Sequence, residues 1–309
     1  MLKKLRDRPL FAGIVLLVVA GCVAIAASHV LIARTAGDPR REEWKKLYAR
    51  PTQIPYPDDD PYSNAKAQLG EMLFFDPLLS GSRTRSCASC HMPSLSFADE
   101  VPRAIGEGRE PLPFRTPSIL NIAWIPALGW DGKFHNLESV AFGPLSNAKN
   151  MNRNEPDLIR DLSQNAGYRK LFTEAFGGGA ITRHQIEQAL ATYERTIVSG
   201  KAPFDRWIEG DEGAISESAK RGFDLFNGKA NCAACHTGWN FTDGAFYDIG
   251  VSRNDEPGRG KYFPTSVKLQ HAFKVPTLRD SARRLYFMHN GSMRSLAEVL
   301  NSYEHGGTS

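Results

Sequence analysis

Four of the five cysteines in this 309-residue chain fall in two copies of one pattern, Cys87-Ala88-Ser89-Cys90-His91 and Cys232-Ala233-Ala234-Cys235-His236, set 145 residues apart. Two thiols at this spacing can close on the vinyl groups of a haem, and the imidazole that follows can become the proximal ligand of its iron. The pattern therefore predicts two covalently attached c-type haems. Structural zinc is the weaker reading, because its Cys-x-x-Cys knuckles sit about 15 to 20 residues apart and only Cys22 remains to complete a site. A thioredoxin-like redox pair would sit near a βαβ pattern, which this sequence does not show.

Each motif needs a scaffold that presents thiols and imidazole together, and the flanking sequence repeats accordingly. Gly70-Glu71-Met72-Leu73-Phe74 precedes Cys87 and Gly222-Phe223-Asp224-Leu225-Phe226 precedes Cys232, both reading Gly-x-x-Leu-Phe. Apolar residues at helical spacing (Leu69, Met72, Leu73; Ala219, Gly222, Phe223, Phe226) predict helices that start near Ser63 or Ser216 and stop at Asp76-Pro77 or Asn227-Gly228. Downstream, Arg115-Thr116-Pro117-Ser118-Ile119 answers Lys274-Val275-Pro276-Thr277-Leu278, and Pro117 to Gly132 matches Pro276 to Gly291 at 15 residues. Leu137 with Leu296 and Val140 with Val299 extend the register. Spacings held in step argue for an internal duplication, which pairs Trp130 with His289 and Pro144 with Tyr303.

Between the copies, helical patterns run around Glu155 to Phe176 and Thr182 to Val198, split by Gly177-Gly178-Gly179. No run of alternating strands is present, so the body is predicted to be mainly α, with long loops around the haems.

The composition, 41% apolar and 23% charged, is that of a globular protein. Three of the four net positive charges precede the first apolar run (Lys3, Lys4, Arg6 and Arg8 against Asp7), which argues against nucleic-acid binding. Residues 10–33 hold no Asp, Glu, Lys or Arg, and 24 helical residues would span about 36 Å against a hydrocarbon core of about 30 Å. The expected organisation is a basic cytoplasmic tail (1–9), a transmembrane anchor (10–33), a linker (34–54), and two haem domains (55–200 and 201–309), the second short at its C-terminus. Under the positive-inside rule the body would lie on the periplasmic side of a bacterial inner membrane. Cleavage of 10–33 as a signal sequence, with release to the periplasm, is the alternative. Val19-Ala20-Gly21-Cys22 is similar to a lipobox, but the apolar run continues past Cys22.

From about residue 55 onward the chain resembles the bacterial di-haem cytochrome c peroxidase and MauG family. The resemblance is carried by LGEMLFFDPLLS (69–80), CASCHMPSLSFAD (87–99), RTPSILN (115–121), WDGK (130–133), NLESVAFGPLSN (136–147), FDRWIEGD (204–211), CAACHTGWNFTD (232–243), DIGV (248–251), KVPTLRD (274–280) and YFMHNG (286–291). It implies two cytochrome-c-like domains, a peroxide-binding first haem and a second haem that stores or relays electrons. Electrons would come from a small cytochrome c or cupredoxin, or from an oxidised protein substrate.

The resemblance also implies ligands. Residues 92–134 hold no His, so the iron of His91 is expected to be open opposite its proximal ligand, as in MauG-like members. The iron of His236 is expected to be closed by Tyr303, with Met288, Met293 or His289 as substitutes. Trp130 matches a tryptophan placed between the haems. Cleaving the O–O bond of peroxide also needs a proton, yet the family's distal Glu aligns with Asn150 and its Gln with Val140, leaving His135, Glu138 or water to supply it. Calcium is not expected, since Arg115 and Arg284 fall at positions where relatives hold that ion. A non-catalytic electron-transfer cytochrome or a haem-based sensor is the alternative function.

Overall fold

A computed structural model describes residues 38–253 and 255–307. The expected membrane segment 10–33 lies outside them, and no helix among the described residues is long and apolar enough to cross a membrane.

The first half is built on five helices. Helix α2 (Asn64–Phe75) starts where Ser63 accepts a hydrogen bond from the Lys66 backbone and stops at Asp76. Helix α3 (Leu137–Ser146) is capped by Asn136, and α6 (Arg183–Thr196) by a reciprocal box between Thr182 and Gln185. The pattern expected as one helix over 155–176 is two, α4 (Glu155–Gln164) and α5 (Ala166–Phe176), because the Asn165 side chain accepts from Gly167 and Tyr168 and restarts the chain. Helix α6 crosses α2 so closely that a Cβ on Gly70 would stand 1.9 Å from the Ala189 carbonyl oxygen. That contact explains the glycine of the repeated signature. Leu69, Leu73 and Phe74 of α2, Phe142 and Leu145 of α3, and Ile186 and Leu190 of α6 join one apolar core.

The second half repeats the plan with α8 (Glu217–Asn227), capped by Ser216, and α9 (Leu296–Glu304), capped by Ser295. Its core is a small aromatic cluster of Tyr48, Trp207 and Phe223, joined by Trp44, Phe204 and Phe241. Tyr48 and Trp44 come from the segment expected to be a linker, which instead contains α1 (Arg41–Leu47). Arg41 pairs with Asp224 at 2.6 Å and the Tyr48 hydroxyl donates to Asn227 at 2.8 Å, so this segment is packed onto the second half. Trp207 comes from α7 (Pro203–Ile208).

The duplication extends to backbone detail. Bridges Leu128 to Phe134 and Phe287 to Met293 stand at equivalent places, and Asn121 and Asp280 share left-handed φ values of 59° and 56°. The only sheet among the described residues pairs β1 (Phe246–Tyr247) with β2 (Phe273–Lys274), Phe246 opposite Lys274. The halves are joined by buried polar contacts, including Asn121 to Asn240 (3.0 Å) and the Arg115 backbone N–H to the His289 carbonyl (2.8 Å).

Candidate functional site

Each Cys-x-x-Cys-His motif folds into a single tight turn, Cys87–Ser89 or Cys232–Ala234, and the histidine backbone then donates to the first cysteine's carbonyl at 2.9 Å in both copies. This winding gathers the two thiols and the imidazole. His91 Nδ1 lies 3.1 Å from the Phe97 carbonyl oxygen and His236 Nδ1 lies 3.0 Å from that of Phe241. A carbonyl can only accept, so each ring carries its proton on Nδ1 and leaves Nε2 bare for a metal. Burial lowers both imidazole pKa values and keeps the rings neutral. Phe97 and Phe241 both adopt φ of 53°, a left-handed conformation rare for bulky residues, and this turns their carbonyls onto the imidazoles.

Beside the first motif opens a cavity of about 380 Å³ whose wall holds Cys87, Cys90 and His91 together with Trp130, Val140, Pro144 and Asn150. Four residues singled out from the sequence are thus brought to one pocket with the thiols. Its remaining wall is largely apolar, including Ile119, Leu128, Phe134 and Leu137, and burial pushes the Cys87 thiol up to about 12. A thiol pair, a bare Nε2 and an apolar slot fit a covalently held macrocycle. The Asn150 amide has no protein partner among the described residues, while its backbone carbonyl accepts from Glu107 at 2.7 Å and pins the loop.

The second motif meets different neighbours. Tyr303 on α9 is 53% exposed, and its phenol is pushed up by burial and then by the charges of Cys235 and Cys232. Met293 is buried, and Met288 adopts a left-handed φ of 66°. His289 is 4% exposed and stacks on Phe273 with 3.6 Å between centroids; its Nε2 lies 3.3 Å from Glu256. That nitrogen is engaged away from any pocket described here.

Trp130 is buried at the joint between the halves. Its Nε1 donates to the Arg115 carbonyl at 2.7 Å, and its ring stands 6.5 Å from that of His289, the residue the duplication pairs with it. His135 is exposed and away from the cavity wall. Glu138, named as a possible proton source, is ion-paired to Arg195 at 2.6 Å and does not line the cavity.

Sequence reasoning passed over Glu194, which lines the first cavity from α6 and is pushed up to about 8 by burial. It also passed over Lys274, lowered to about 8 by burial. The two phenylalanines had a legible signal, since each motif is followed by a Phe-x-Asp triplet, Phe97-Ala98-Asp99 and Phe241-Thr242-Asp243.

Comparison with known proteins supports the geometry. Residues 64–213 match the model of the di-haem cytochrome c peroxidase family. The chain is 44% identical over 303 residues to a methylamine utilization protein MauG from Methylorubrum extorquens, covering 97% of this chain and 86% of that one. It is 46% identical over 288 residues to the protein of the same name from Methylophilus methylotrophus, covering 91% and 84%. A crystal structure of a MauG-like protein associated with microbial copper homeostasis superposes with a TM-score of 0.77 at 30% identity, covering 84% of this chain and 82% of that chain. With relatives this similar over nearly the whole chain, the chain belongs to the di-haem cytochrome c peroxidase and MauG family, carries two covalently bound c-type haems and is a peroxidase-type oxidoreductase.

Proposed function

We propose that hydrogen peroxide is reduced in the pocket of Cys87, Cys90 and His91, and that the electrons arrive through the site of Cys232, Cys235 and His236 from a protein whose own side chains are oxidised. Bound haem supplies one iron that gives electrons to the O–O bond and a second that stores them. The carrying observation is the cavity of about 380 Å³, which gathers the first thiol pair and imidazole with Trp130, Pro144 and Asn150.

In this reading Cys87 and Cys90 form thioethers, and His91 offers Nε2 from one side. Pro144, in the wall of the same cavity, carries no side-chain atom that could ligate a metal, so it would leave a bound haem open to peroxide. Asn150 orients the oxidant through its amide but cannot pass a proton, so slow proton delivery limits the rate. Val140 adds only apolar contact. His236 holds the second site, with Tyr303 as its other ligand. Trp130 lies on the route between the halves, its indole oriented by the Arg115 carbonyl.

The lack of histidine over residues 92–134 and the similarity to two MauG proteins favour a protein substrate over a small cytochrome c or cupredoxin donor. We place the body in the periplasm, anchored by residues 10–33, on the strength of that uncharged run and its basic flank. Mixing the purified ferric protein with hydrogen peroxide and following its Soret bands tests the reading. Turnover of peroxide without prior reduction is expected, and two six-coordinate haems inert to peroxide would reject it.

A further inference from the structure

Three cations stand together around Trp130, and none has a carboxylate partner among the described residues. Arg115 is 4% exposed; its Nε donates to the Met288 carbonyl (3.1 Å) and its Nη1 to that of Thr116 (3.4 Å). Arg284 donates from Nη2 to the Arg279 carbonyl (3.1 Å), and its Nε is buried with no partner among the described residues. Lys274 Nζ reaches the Ala127 carbonyl (3.0 Å). The carboxylates that act on them from a distance are Asp99, Asp280 and Asp131. Each has another partner, Asp99 Oδ2 in Thr116, Asp280 in Ser96, and Asp131 in Tyr262 and the Lys133 backbone, while Asp99 Oδ1 is buried with no hydrogen-bond partner among the described residues. Glu256, the other acid near the joint, faces His289 and Arg103.

All three cations line a cavity of about 30 Å³ with Trp130 and Thr277, and Arg115 and Lys274 also line the large pocket. Charge buried without a counter-ion is costly, and here Arg115 and Arg284 also repel each other. A haem fixed by its vinyl edge points its two propionate carboxylates away from the cysteines, and a guanidinium fork matches a carboxylate with two parallel hydrogen bonds.

We propose that Arg115, Arg284 and Lys274 are the counter-ions of the haem propionates, a cationic bridge of side chains that joins the two haem edges through the joint holding Trp130. The proposal rests on the two-haem reading of the pockets. It also bears on Trp130, because the Arg115 guanidinium 5.3 Å from the indole ring opposes withdrawal of an electron unless a propionate neutralises it.

The test uses the haem-loaded protein and the variants Arg115→Gln, Arg284→Gln, Arg115→Lys and Arg284→Lys. Covalent haems are counted first; fewer than two in the unaltered protein would reject the pocket reading itself. With two attached, a redox titration of each Gln variant should shift the ferric–ferrous equilibrium towards ferric by roughly tenfold, the effect of a unit charge about 10 Å away at an effective dielectric constant of about 20. The Lys variants should restore most of it. Unmoved equilibria in the Gln variants, or equal shifts in Gln and Lys variants, overturn the bridge. Should the Gln variants not fold, the unaltered protein decides: EGTA dialysis and added calcium chloride should leave its titration unchanged, and a stoichiometric calcium whose removal shifts it overturns the proposal.

Discussion

Leu137 and Leu296 hold the same place in the two copies, yet Leu137 is 5% exposed and Leu296 is 46% exposed. Gly70 and Gly222 share the signature before each haem motif, yet α6 lies against the first, and nothing comes within 4 Å of a Cβ on the second. Helix α3 buries Leu137, Ala141, Phe142 and Leu145, whereas α9 buries none of its residues. One sequence pattern thus gives a closed core where a crossing helix follows it and an open face where none does among the described residues. The difference sorts the chemistry as well. The first pocket is walled partly by the core residues Ile119, Leu128, Leu137 and Ala141 and has Pro144 where the duplication puts Tyr303 in the second half, so in the function proposed above the firmer frame holds the open iron.

Paired substitutions can break or sharpen this contrast. Leu137→Ala removes packing from a filled core and should cost up to about 5 kcal/mol in urea unfolding, while Leu296→Ala should stay within about 0.5 kcal/mol; similar losses would erase the distinction. Gly70→Ala drives a methyl into the Ala189 carbonyl and should cost about 3 kcal/mol. Gly222→Ala should stabilise by about 1 kcal/mol, through helix propensity alone, and a loss there would reveal a partner for α8. A smaller effect concerns pH and the first half only. Glu194, pushed up to about 8 from 4.5 chiefly by burial, favours the folded state in its protonated form. Its contribution is full below about pH 4.5 and is lost as pH rises through about 8. Glu194→Gln should flatten this decline, so that between pH 4.5 and pH 9 the variant loses about 5 kcal/mol less than the unaltered protein; parallel stability curves for the two would remove Glu194 from the pH response.

What was legible in the sequence is what covalent chemistry and local geometry dictate. Thioether attachment requires the cysteine spacing, and Ser63 and Ser216 cap their helices where expected because capping is a contact between near neighbours. The register pairing Trp130 with His289 was readable, and those rings do meet. Features set by distant partners were not readable. The fate of Gly222 depends on a helix that does not cross it, and Tyr48 is buried by residues about 160 or more positions away. Glu194 looked like one more polar position on α6 until the fold turned it towards the cavity. Glu138 was readable as a possible proton source, and only the fold pairs it with Arg195 at 2.6 Å.

The inequality of the two irons is tested most directly by electron paramagnetic resonance of the ferric, haem-loaded protein beside its Tyr303→Phe variant. The expected result is one high-spin and one low-spin signal in the unaltered protein, with the low-spin signal lost or displaced in the variant and the high-spin signal unchanged. Two low-spin signals in the unaltered protein, or a low-spin signal indifferent to Tyr303→Phe, would contradict it.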